Sequence, residues 1–135
     1  MAETRLEISL PGEPDRQLVL HSGCYRIGRD SGSEVVVAHG AVSRRHALLE
    51  QVGVHWLLRD DGSTNGLWWQ GRRIHQLLLR NGDRVRFGPD DQRDLPEIRF
   101  RQSGGSRAGL LLKAAAVGLA AATAGGLLLL LVGAV

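Results

Sequence analysis

The chain has 135 residues and a formal charge of +3, which leaves room for one compact domain and an appendage but not for two domains with separate cores. Its basic residues are nearly all arginine, with Lys113 the only lysine, and acidic residues are interspersed among them through the polar region. That mixture excludes a basic arm or stripe for nucleic acid and describes a mixed, solvated surface. The arginine preference suits bidentate binding of phosphate, although genomic base composition produces the same bias. One cysteine, Cys24 in the apolar run Cys24-Tyr25-Arg26-Ile27, excludes a disulfide framework and a multi-cysteine metal site.

The first residues, Met1 to Arg16, alternate charge and apolarity without an apolar h-region, so no cleavable secretion signal is expected there. Short apolar or alternating runs then follow one another: Arg5-Leu10, Gln17-Leu20, Cys24-Ile27, Glu34-Val37, His46-Gln51, Val54-Arg59, Leu67-Trp69, Ile74-Leu79, Arg84-Phe87 and Ile98-Arg101. Turn clusters such as Pro11-Gly12, Ser31-Gly32, Asp60-Asp61-Gly62 and Asn81-Gly82 separate them. About ten to eleven short strands without helical periodicity between them predict an all-β sandwich rather than alternating βαβ units. Asn81-Gly82-Asp83, between Leu77-Arg80 and Arg84-Phe87, predicts a β-hairpin.

Composition changes abruptly near Ser103. We expect one domain over residues 1–102 and a flexible linker over 103–107 carrying Ser103-Gly104-Gly105-Ser106. Over residues 108–135 we expect a transmembrane helix in contact with membrane lipid. The uncharged stretch Ala114–Val135 has 22 residues, and as a helix it would span about 33 Å, enough to cross a hydrocarbon core. A buried core helix would keep a polar face, and this segment has none. Arg99, Arg101, Arg107 and Lys113 flank only its N-terminal side, which predicts a single pass with the polar domain in the cytoplasm, as at a bacterial inner membrane. Small residues at Ala114, Gly118, Ala122 and Gly126 have the spacing of a weak helix–helix contact.

Three loop clusters hold residues that a turn alone does not require: Gly28-Arg29, Ser43-Arg44-Arg45-His46, and Gly62-Ser63-Thr64-Asn65-Gly66. A phosphothreonine carries close to two negative charges and three acceptor oxygens. Arg29 at a strand end offers a guanidinium, Ser43 and Thr64 offer hydroxyls, and Asn65 offers an amide that donates and accepts at once. Gly28 and Gly66 let the chain turn and approach closely.

With a Gly-Arg pair, a Ser-x-x-His and an Asn-Gly in this order, the stretch from about Arg5 to Arg101 resembles a forkhead-associated (FHA) domain. The resemblance implies that Arg29 and Ser43 contact phosphate, helped by Arg44 and Thr64, and that Asn65 holds the peptide main chain. It implies that His46 braces the loops from beneath, with Gly28 and Gly66 supporting them. Ala41, just before Val42 and Ser43, supplies no charge to select an acidic residue three places after the phosphothreonine. Trp68 and Trp69 are adjacent, so one faces outward beside the Asn65 loop.

The residues give no sign of an enzyme. Ser43 with His46 lacks an acid partner placed by motif, and there is no Gly-x-Ser-x-Gly elbow, Walker loop or Gly-x-Gly-x-x-Gly fingerprint. The five histidines are scattered without metal-ligand spacing, and no cofactor is expected. The expected function is that of a membrane-anchored module binding a threonine-phosphorylated protein, a Ser/Thr kinase or its substrate. The alternative is a structural component of a membrane assembly such as a secretion-system ring, without phosphopeptide binding.

Overall fold

Alternation along each strand becomes burial on one face. In β1 (Glu3–Ser9), Leu6 and Ile8 are buried while Arg5 and Glu7 are partly exposed, the period of two that a half-solvated sheet imposes. The computed structural model describes residues 3–103. They contain eleven strands: β1, β2 (Arg16–Leu20), β3 (Cys24–Gly28), β4 (Val35–Val36), β5 (Ala47–Val52), β6 (His55–Asp60), β7 (Leu67–Trp69), β8 (Arg72–Ile74), β9 (Gln76–Leu78), β10 (Arg84–Arg86) and β11 (Glu97–Ser103). One sheet runs β2-β1-β11-β10-β7-β8 and the other β4-β3-β5-β6-β9. This is the all-β sandwich read from the sequence. The described residues contain no helix, hence none long and apolar enough to cross a membrane. The span expected over 108–135 lies outside the described residues, as does the linker beyond Ser103.

The core joins the inner faces of both sheets. Leu6, Ile98, Phe100, Val85 and Leu67 from one meet Ile27, Leu49 and Leu58 from the other, with Phe87 between, each 2 % exposed or less. Each such side chain stabilises the fold by about 1.5–3 kcal/mol relative to exposure.

Two local expectations are corrected. Asn81-Gly82 does not close a hairpin, because β9 lies in the five-stranded sheet and β10 in the six-stranded one. A two-residue hairpin turn of type I′ needs positive φ at both central residues, and of this pair only Gly82 has it, at 92°. The turn instead carries the chain between sheets. It is pinned to β11 by the Gly82 N–H on the Phe100 carbonyl (2.7 Å) and the Gln102 N–H on Asn81 Oδ1 (3.0 Å).

The single run Ile74–Leu79 is in fact two elements, since Ile74 pairs with Leu67 in one sheet while Leu77 and Leu78 pair with Leu58 and Leu57 in the other. A tight hairpin does form at β7–β8, turned by Gln70 and Gly71 with φ of 51° and 77° and with Trp69 opposite Arg72. Glutamine is a poor advertisement for a left-handed position, which is why the turn was not legible.

Candidate functional site

Three connections meet at one end of the sandwich: residues 29–34 after β3, 37–46 between β4 and β5, and 61–66 where the chain crosses from β6 to β7 and so from one sheet to the other. They are laced together by hydrogen bonds, and the residues singled out in the sequence supply most of them.

Arg29 continues β3. Its backbone N–H donates to the Ser43 carbonyl (3.0 Å), and its Nε donates to the Val42 carbonyl (3.0 Å). The root of the guanidinium is thereby fixed. Its terminal nitrogens meet no acceptor among the described residues, and the side chain is exposed. Gly28 is what permits this approach: a β-carbon there would run into the Arg44 carbonyl oxygen, with the carbonyl carbon behind it at 2.8 Å. Its φ is not in the left-handed region, so the requirement is space rather than conformation.

Ser43 is half-buried, and its Oγ accepts the Thr64 N–H at 3.0 Å. A hydroxyl that accepts still has its proton to donate, so Ser43 couples two loops and remains a donor toward a ligand. Thr64 is exposed beside it. Asn65 Nδ2 donates to the Ala41 carbonyl at 2.8 Å, which leaves one amide hydrogen and Oδ1 for another partner. Arg44 is exposed, and its carbonyl accepts the Asp30 N–H at 3.3 Å.

Beneath these groups lies His46, with no exposed surface. Its Nδ1 accepts the Ser43 N–H (3.0 Å), so Nε2 carries the proton and donates to the Gly66 carbonyl (2.9 Å). Its backbone N–H donates to Ile27, its carbonyl accepts from Asp61, and its ring meets Phe87 edge-on at 4.8 Å. The imidazole thus ties the second connection to the third, while the His46 backbone ties the same residue to β3. Burial pushes its pKa below the ordinary imidazole value; the bond to Gly66 opposes that shift.

The structure therefore brings Arg29, Ser43, Thr64 and Asn65 together around one mouth, with Gly28, His46 and Gly66 behind them and Arg44 at the rim. Two neighbours of the site, Asp60 and Arg73, were not read from the sequence. Asp60 shapes the last loop: its carboxylate accepts the Ser63 N–H and hydroxyl, both at 2.7 Å, and Ser63 Oγ accepts the Gly66 N–H at 3.0 Å. The Asp60-x-x-Ser63 spacing is the available signal for it. Trp68 is half-buried rather than presented to a ligand, and its indole N–H is used on the Asn65 carbonyl at 2.9 Å. Arg73 lies against Gly66; only strand register places it there. Among the described residues no group of three or more His, Cys, Asp or Glu is placed to hold a metal.

The end loops of this two-sheet sandwich bring cationic, hydroxyl and amide donors to one end, a set of groups suited to an anionic ligand. Residues 25–88 match the FHA domain family model, and the described unit has the fold of solved FHA domains. Among curated relatives, the ABC transporter ATP-binding/permease protein Rv1747 of Mycobacterium tuberculosis is 33% identical over 95 residues, 64% of this chain and 11% of that protein. This chain thus spans about a tenth of that relative's length. A solved FHA domain studied for phosphothreonine-dependent interactions is 27% identical, covering 76% of this chain and 99% of that one, with TM-score 0.64. Mycobacterium tuberculosis EmbR in complex with a low-affinity phosphopeptide is 28% identical, covering 78% of this chain and 26% of that one, with TM-score 0.60.

Proposed function

We propose that this domain binds threonine-phosphorylated segments of a partner protein, a Ser/Thr kinase or its substrate, and performs no catalysis. Arg29 and the Ser43 hydroxyl contact the phosphate, with Thr64 and Arg44 completing the donor set, and Asn65 grips the peptide main chain with its remaining amide hydrogen and Oδ1. The observation that carries this reading is the state of Arg29. Its Nε is spent on the Val42 carbonyl while its terminal nitrogens stay open beside a hydroxyl already aligned by Thr64. A cation held in place without an internal anion is preorganised for an external one. The relatives' phosphothreonine-dependent and phosphopeptide-bound behaviour supports the same assignment.

With the span expected over 108–135, the module would work at the inner face of a membrane. That part of the proposal rests on the uncharged sequence Ala114–Val135 and its arginine-rich flank.

Calorimetry with one peptide in phosphorylated and unphosphorylated forms tests the reading. Binding should require the phosphate, and Arg29→Ala should weaken it by about 2–4 kcal/mol, roughly 30- to 1,000-fold. Its cost to folding should stay near the ~1 kcal/mol of one part-buried hydrogen bond. Equal affinity for the two peptide forms would remove the phosphate reader and favour the structural-assembly alternative.

A further inference from the structure

Arg73 sits on β8 directly opposite Trp68 of β7. Leu67, one residue before Trp68, is fully buried, so alternation puts Trp68 and Arg73 on the outer face of the six-stranded sheet. The side chain nevertheless turns back over the loop: a β-carbon on Gly66 would meet Arg73 Cζ at 2.9 Å and Cδ at 3.0 Å. Glycine at 66, already suited to its φ of 84°, is therefore also what lets a guanidinium approach the backbone next to Asn65. The cation is near enough to the site that, after burial, it is a further cause of the lowered His46 pKa.

Arg73 is exposed and has no ion pair or hydrogen bond among the described residues. Seven other arginines each have an acidic partner within 3.9 Å. Arg44, Arg72, Arg80, Arg93 and Arg99 have no such ion pair either, but Arg73 is the one packed against Gly66, and that placement makes its open guanidinium an electrostatic feature of the site. Ala41, at the neighbouring loop, carries no charge and gives its carbonyl to Asn65. Any selection by charge must then come from elsewhere on the rim.

We infer that Arg73 reads an acidic side chain of the bound peptide on the Asn65 side of the phosphothreonine. This rests on the reading that Arg29 and Ser43 take the phosphate and Asn65 the main chain. A peptide gripped at Asn65 passes Gly66 next, and the guanidinium lying there offers two adjacent N–H groups to a carboxylate. Arg73 is a specificity residue, separate from the phosphate contacts, because it belongs to a different hairpin from any of the three loops.

The test uses the full chain in mild detergent and a set of phosphothreonine peptides of one length. The parent has alanine at every flanking position, and each derivative carries one aspartate, from three places before to four places after the phosphothreonine. Wild type should bind at least one aspartate peptide about three- to tenfold more tightly than the parent, the gain of a partly exposed charge pair, and the gain should shrink with added salt. Arg73→Gln should erase that gain while keeping affinity for the parent within twofold, and Arg73→Lys should restore part of it. The inference is overturned if no aspartate improves wild-type binding, if Arg73→Gln keeps the preference, or if Arg44→Gln removes it instead. A wild type that does not distinguish the phosphorylated parent from its unphosphorylated form would instead sink the phosphate reading beneath it.

Discussion

His46 offers the most stringent test of how the site is held. Replacing it by alanine removes the acceptor of the Ser43 N–H and the donor to the Gly66 carbonyl. Each group left unsatisfied in a buried place costs about 1–3 kcal/mol. The missing ring also leaves a void beside Phe87, and the sum is about 3–5 kcal/mol. Against a total stability of about 5–15 kcal/mol, that should lower the melting temperature by more than about 12 °C in a domain of this size.

Protonation makes the same perturbation reversibly. The folded-state pKa of His46 lies below its ordinary value of 6.5, so its contribution is fully present above about pH 6.5. As pH falls further, the unfolded chain takes up a proton that the folded one refuses, and stability drops by up to about 1.4 kcal/mol per pH unit until the folded form also protonates. An imidazolium would then point an Nδ1–H at the Ser43 N–H, two donors facing each other, so phosphopeptide affinity should fall with stability.

Other groups act in different windows. Glu34, held at about 2 by Arg26, keeps its contribution until pH falls below the ordinary 4.5. Asp83, raised by burial, works in the opposite sense and gains stability as pH falls toward 3.8. Urea unfolding of wild type and His46→Ala from pH 7.5 to 5 is the assay. A wild-type slope below pH 6.5 that persists in the variant would refute the assignment.

Asn65→Ala should weaken phosphopeptide binding and also lower stability by about 0.5–1.5 kcal/mol, because the amide ties the last loop to the Ala41 carbonyl; an unchanged urea midpoint would show that this bond contributes nothing. For the expected span, the whole chain should partition with membranes and resist carbonate extraction, while a chain ending at Ser103 should not. Recovery of the whole chain in the soluble fraction without detergent would contradict the anchor.

What the sequence disclosed of this domain is what depends on neighbours a few residues apart. Strand faces follow from alternation. The Ser43-x-x-His46 spacing is legible because the bond it encodes, Ser43 N–H to Nδ1, is local. What it concealed depends on which sheet a strand joins. Asn81-Gly82 has the composition of a hairpin turn, yet Leu77 and Leu78 find partners in β6 while Val85 finds one in β11, and burial of those side chains outweighs turn preference. Arg73 is invisible for the same reason, since only the Trp68–Arg73 register carries it to Gly66.

The concealed pairings explain why the site holds its shape. Loop 61–66 crosses between sheets, and the bonds from Ser43, His46 and Asn65 fasten it to the loop of the opposite sheet. Separating the proposed phosphate donors therefore means breaking contacts that also hold the sandwich closed. Arg29 stands apart from that arrangement: its guanidinium can be removed at the cost of one part-buried bond. It is thus the residue at which the proposed recognition of phosphate can be tested apart from folding, and His46 the one at which the two should fail together.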